Sequence, residues 1–178
     1  MRSWQMERYP YGDRRLPHHI YPPKIYTNDQ LQTLTGVISY AVDIDDRIAM
    51  KKRISRIKAE RKMSTSDVLT LHENVNNFER KLEQFYEPVA KNVDSVFFIM
   101  DGSAYYDIEV DEDDWIRINV ERGDLIIIPR GRNYRFTLTT QINSSNVIQQ
   151  LIYCSCVLAN NKVVVERFFD ADNNIQQG

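Results

Sequence analysis

After Pro88 the apolar residues of this chain change period, from the three-and-four spacing of helices to the alternation of strands. Residues 96–100 lead into an Asp101-Gly102 turn, 103–110 into an acidic turn at 111–114, and 115–120 into a turn at Gly123 and Asp124. The segments 125–128, 134–139, 147–158 and 163–169 continue the series, with a loop at 129–131. Side chains alternate across a strand, so each segment has one face to bury, and an Asp-Gly pair suits the positive backbone angles of a tight hairpin. Many short strands joined by regular turns predict an antiparallel barrel or sandwich. With 178 residues, 42% of them apolar, the chain has material for one core, so a single domain over 1–178 is expected. Its barrel core is expected at 88–169 and a polar, frayed tail at 170–178.

Residues 1–87 read as an N-terminal wrap followed by helices. The first 25 or so are rich in proline and tyrosine and show no period, which predicts a segment lying over the surface. Thr27 with Gln30 forms a capping box for a helix through Leu31 and Leu34, and Gly36 is its stop. A β-rich stretch follows at 37–42. Over 47–62, Met50, Ile54 and Ile57 recur at spacings of four and three, which marks an amphipathic helix. Ser64 with Asp67 reads as the cap of a further helix, one that would carry His72 outside the barrel. Phe78, Leu82 and Phe85 give a last helix, ended by Pro88.

Charge narrows the choice of partners. The net charge is −2 and the pI near 5.9, so no global field draws the chain to nucleic acid or anionic lipid. The helix at 47–62 is the local exception, with Lys51, Lys52, Arg53, Arg56, Lys58, Arg61 and Lys62 on its polar face. No aromatic residues are interleaved and acidic segments flank it, so a solvated face is expected rather than a phosphate-binding stripe. No apolar run approaches the ~20 residues that a bilayer requires, and the N-terminus has no apolar h-region, which implies a soluble protein. Cys154 and Cys156 stand two apart on an expected strand, on one face and without disulfide geometry. They read as buried thiols of a reducing compartment, or as half of a metal site with no other half, since His18, His19 and His72 are scattered.

Gly123, Pro129, Gly131 and position 134 have the spacing of the second cupin motif, whose last position is a histidine metal ligand. Several longer blocks are more specific: Arg15-Leu16-Pro17-His18, Asn77-Phe78-Glu79-Arg80-Lys81, Asp101-Gly102-Ser103-Ala104-Tyr105-Tyr106-Asp107, Asp114-Trp115-Ile116-Arg117-Ile118, Ile128-Pro129 and Arg135-Phe136-Thr137. In that order and spacing the chain resembles the acireductone dioxygenases over nearly its whole length. The resemblance implies a mainly β cupin barrel with flanking helices, and enzymes that oxidise an acireductone with O₂ in methionine salvage. An active member would hold Fe²⁺ or Ni²⁺ with three histidines and one glutamate. Counting back from Gly102, the matching positions here are Val89, Lys91 and Ser95, with Tyr134 from the second motif. An arginine that contacts substrate in the family is matched by Phe97.

Such a site needs neutral imidazoles and an ionised carboxylate, each offering a lone pair to the cation. Val89 has none. Lys91 is an ammonium at neutral pH, and deprotonating it from a reference pKa of ~10.4 costs roughly 4 to 5 kcal/mol before any metal arrives. Ser95 is a weak neutral donor, and a tyrosine with a reference pKa of ~10 is about 0.1% phenolate at pH 7. Outer-shell partners do not repair this, because they tune ligands that must first exist. The expectation is therefore an inactive homologue, with no cofactor and no catalytic residue.

The five positions then fill or line the old pocket, with the Lys91 stem along its wall. A second reading has Lys91 and Tyr134 bind a small carboxylate or enolate without turning it over. His18 is expected to fix the N-terminal wrap and His19 to be exposed. The leading function is a binding or regulatory pseudoenzyme, a monomer of cytoplasm and nucleus whose partner is an unidentified protein or a small anionic ligand, not nucleic acid. The rival is an enzyme: a residual dioxygenase with unusual ligands, or a metal-independent isomerase of related substrates.

Overall fold

The computed structural model describes residues 1–72, 76–140 and 162–169. In chain order its elements are β1 (Arg2–Gln5), β2 (Ile25–Tyr26), α1 (Asn28–Thr35), β3 (Ile38–Ala41), α2 (Arg47–Glu60), β4 (Thr65–His72), α3 (Phe78–Tyr86), β5 (Ser95–Asp101), β6 (Ser103–Asp111), β7 (Asp114–Glu121), β8 (Asp124–Ile128), β9 (Tyr134–Leu138) and β10 (Lys162–Phe169). Among the described residues these form two five-stranded antiparallel sheets, ordered β2-β1-β7-β6-β9 and β3-β8-β5-β10-β4. This is the flattened, helix-flanked β-barrel that the resemblance implies.

The alternation after Pro88 sets what each strand buries. Ile116, Ile118 and Val120 of β7 face the space between the sheets, where they meet Ile99, Ile126, Ile128, Val163 and Val165. Residues between them on β7 (Trp115, Arg117 and Asn119) are buried too, because the N-terminal segment covers the outside of the first sheet. On the second sheet, α2 covers the outer face. Ile57, with Met50 and Ile54 packed beside it, sits against Val96, Phe98, Leu125, Ile127 and Phe168.

Local signals explain the ends of the elements. Thr27 accepts from the Gln30 backbone N–H at 3.2 Å while the Gln30 side chain accepts from the Thr27 N–H at 2.9 Å, and Gly36 closes α1 in the left-handed region. The Asp101-Gly102 turn joins β5 to β6 with Gly102 at φ 79°. Helix α3 forms on Phe78 and Leu82 as their spacing predicts, and it packs on β9.

Two expectations are corrected. Ser64 and Asp67 do not cap a helix: β4 occupies 65–72 and pairs with β10 along its whole length, so His72 ends a barrel strand. The cap signature promises a few hydrogen bonds, whereas alternating Leu69 and Leu71 fit a full ladder with an apolar face, and the ladder wins. Nor is the N-terminus only a wrap. The strand β1 pairs with β7 and β2 and buries Ser3 and Trp4, a segment too short for its alternation to show in sequence. The strand expected at 147–158, with Cys154 and Cys156, and the tail at 170–178 lie outside the described residues. Among the described residues no helix is long and apolar enough to cross a membrane.

Candidate functional site

The four positions matched to metal ligands gather at one end of the barrel. Tyr134 opens β9, and its backbone forms an isolated bridge with Val89: the Val89 N–H donates to the Tyr134 carbonyl at 2.9 Å and the Tyr134 N–H to the Val89 carbonyl at 3.0 Å. Two residues on, the Lys91 carbonyl accepts from the Gly131 N–H at 2.8 Å. The segment after Pro88 is thus tied to the turn before β9. Ser95 opens β5, buried, and the Tyr134 hydroxyl donates to its Oγ at 3.4 Å.

The space inward of these residues is occupied by aromatic rings. Phe97 faces the same side of β5 as Ser95. Its ring lies 4.8 Å from Tyr106 and 5.7 Å from Tyr134, and Tyr106 lies 5.1 Å from Phe136. Phe85 of α3 closes against Phe136 at 5.8 Å. The tilted and edge-on arrangements are those aromatic pairs prefer. Burial lifts the Tyr134 hydroxyl above its ordinary pKa, with Ser95 and then Arg167 opposing, and lifts the fully enclosed Tyr106 well above it. Both therefore favour the neutral phenol.

Lys91 reaches the end of β10. Its ammonium lies 5.4 Å from the centre of the Phe169 ring, and burial, then the charge of Arg167, hold its pKa below the usual lysine value while Asp67 opposes. Arg167 stands across the β5–β10 ladder from Phe97 and across the β4–β10 ladder from Asp67, whose carboxylate accepts from its Nε at 2.8 Å and from its Nη2. Sequence reasoning missed this ion pair because β4 read as a helix with Asp67 as its cap. The Leu69 and Leu71 alternation was the available signal.

Val89 contributes through its backbone, with its side chain 41% exposed. The histidines lie elsewhere. His18 is buried with Nε2 2.8 Å from the Asp13 carbonyl, and so fixes the N-terminal wrap. His19 is exposed beside Trp4, on the outside of the first sheet. Among the described residues no three His, Cys, Asp or Glu side chains converge as a metal site.

This donor set does not fit the iron or nickel of the resemblance. A divalent ion there would meet an aliphatic group, a half-buried lysine and two neutral hydroxyls bonded to each other, where imidazole and carboxylate lone pairs are required.

A second buried polar group lies on the outer face of the first sheet. Asp107 on β6 stands across from Arg117 on β7 and Arg135 on β9, and accepts from Arg117 at 2.6 and 2.8 Å and from Arg135 at 3.0 Å. Arg117 also donates to the carbonyls of Arg14 and Leu16, while Arg135 is stacked between Tyr86 and Trp115 at 4.2 and 4.1 Å. These residues come from the sequence blocks that carry the resemblance. The geometry gives them a task, that of holding the N-terminal segment and α3 to the sheet.

Comparison with known proteins agrees with this architecture. The model of the ARD/ARD' family matches residues 2–148. A Caenorhabditis elegans protein named probable inactive acireductone dioxygenase 1 is 49% identical over 141 residues, covering 79% of this chain and 89% of that one. Acireductone dioxygenase of Xenopus tropicalis is 37% identical, covering 71% and 70%. Among solved structures, acireductone dioxygenase from Bacillus anthracis with a cadmium ion in its active centre shares the fold, with a TM-score of 0.65 and 20% identity over 84% of this chain and 88% of that one. A match running from β1 beyond β9, with relatives this similar over most of their length, places the chain in the ARD/ARD' family.

Proposed function

We propose that this chain is a family member without dioxygenase chemistry, a retained barrel that acts as a binding or regulatory protein. The observation that carries the reading is the Tyr134–Ser95 hydrogen bond above the Phe97, Tyr106 and Phe136 rings. Neutral hydroxyls and aromatic carbon take the place where a charged donor set and an open coordination position would be needed. The names of three relatives, each a probable inactive acireductone dioxygenase, point the same way.

The loss reaches beyond the ligands. Phe97 replaces the cation expected to contact substrate and packs into the aromatic cluster, so substrate anchoring is lost along with metal binding. At the mouth, Lys91 and Arg167 face a single carboxylate among the described residues, Asp67, which leaves room in the charge balance for a small anion held without turnover.

The test is an anaerobically prepared acireductone, 1,2-dihydroxy-5-(methylthio)pent-1-en-3-one, mixed with O₂ and the protein after incubation with Fe²⁺ or Ni²⁺. Substrate loss no faster than with the metal alone is expected. Protein-dependent turnover would support a residual dioxygenase instead, and conversion without metal or O₂ would support an isomerase.

A further inference from the structure

Most of the basic face of α2 is not accounted for by the barrel. Residues 47–62 hold eight Lys or Arg against one acid, Glu60, in a chain whose net charge is −2. The apolar residues Met50, Ile54 and Ile57 seat the helix on the second sheet, and of the cations Arg61 bonds Asp94 at 2.6 Å and Lys58 lies 5.5 Å from the Phe168 ring, which leaves most of the others without a packing role. Three of them line one depression. Lys52 and Arg53 project from one turn and Arg56 from the next, beside Ala49, whose small side chain leaves space, and with Tyr40 of β3 and Glu60 they line a groove of about 370 Å³. Arg53 lies 5.3 Å from the centre of the Tyr40 ring and Arg56 pairs with Glu60 at 2.8 Å, while Lys52 has no ion-pair partner among the described residues. The strand under the groove, β3, is at the edge of its sheet, with β8 as its one neighbour among the described residues.

We propose that this groove docks an extended acidic segment of a partner protein. Cations three and four residues apart on a helix lie on one face. An extended segment presents alternate side chains to one side, so its carboxylates meet Lys52, Arg53 and Arg56 while its backbone runs beside the open edge of β3. Charge complementarity selects the acidic partner. A polynucleotide fits less well, since the one aromatic residue lining the groove, Tyr40, is covered by Arg53 and offers no free face for base stacking. An anionic bilayer needs exposed apolar residues beside the cations, and those of α2 face the sheet apart from Ile48.

The test uses the full chain and a fluorescein-labelled hexapeptide alternating glutamate and serine, read by anisotropy at low and moderate salt. Saturable binding that weakens with salt is expected. A Lys52→Glu, Arg53→Glu, Arg56→Glu variant should lower affinity by about tenfold or more, as three lost pairs and three new repulsions imply. An Arg47→Glu, Lys51→Glu variant, on the same helix outside the groove, should stay within about twofold. If the triple variant melts early, Lys52→Gln with Arg53→Gln must reproduce the loss in a protein of native melting temperature. Absence of binding, equal loss in the groove and control variants, or a single-stranded oligonucleotide binding more tightly than the peptide through the same residues would each overturn the proposal.

Discussion

Lys91 is half-buried and Asp107 fully buried, and the fold gives them opposite surroundings. Lys91 is held below its ordinary pKa near 10.5, by burial and then by Arg167, so the folded chain binds its proton less tightly than the unfolded chain does. Its ammonium therefore costs stability throughout the range below the depressed folded pKa. As pH climbs from that value towards 10.5, folding gains stability, because the unfolded state carries the extra proton. Replacing Lys91→Met should raise the denaturant midpoint at pH 7, and the advantage should shrink as the pH is taken up to the ordinary lysine range. A variant less stable than the parent at neutral pH would show that the ammonium has a favourable partner. Asp107 is instead the shared counter-ion of two guanidiniums, with its side chain 1% exposed. Asp107→Asn leaves Arg117 and Arg135 uncompensated and should cost about 3 to 5 kcal/mol in a denaturant titration, the usual range for breaking a buried pair from one side. A loss below about 1 kcal/mol would mean that the triad is not what holds the N-terminal segment.

At the scale of elements, the Asp101-Gly102 turn is the most demanding local feature. Gly102 sits at φ 79°, and a Cβ there would stand 2.0 Å from the Lys162 carbonyl oxygen at the start of β10. Gly102→Ala should lower stability by at least the ~1 to 3 kcal/mol of a strained backbone, with the displacement of β10 in addition. An unchanged midpoint would contradict this packing. That turn was legible in the sequence because it is a two-residue signal with a local cause, as were the Thr27–Gln30 box and those strands after Pro88 that lie among the described residues. β4 and β1 were not legible, because each exists through a partner distant in the chain. Thr65 to His72 is held by β10, and Arg2 to Gln5 by β7. The same division runs through the site. Val89, Lys91, Ser95, Phe97 and Tyr134 were expected there from their spacing to Gly102 and Gly131. Asp67, Arg167 and the roles of Tyr106 and Phe136 depend on ladders that spacing does not reveal.

For the whole molecule, the family's barrel carries Val89, Lys91, Ser95 and Tyr134 at the positions that the resemblance matches to metal donors. Among the described residues, glycine turns, apolar alternation and the Asp107 triad surround an end of the barrel where Tyr134, Ser95 and Phe97 meet. If the donors alone separate this chain from a metal binder, restoring them should suffice. The variant Val89→His, Lys91→His, Ser95→Glu, Tyr134→His should acquire a Ni²⁺-dependent rise in melting temperature that the parent lacks. Failure of a well-folded variant to bind would place the register, or the aromatic filling, in the way. The most direct measurement is elemental analysis of the unaltered full chain, expressed with added iron and nickel and purified without chelator. The account predicts a cooperatively melting protein carrying far less than an equimolar amount of either metal. Equimolar iron or nickel that survives gel filtration would contradict it.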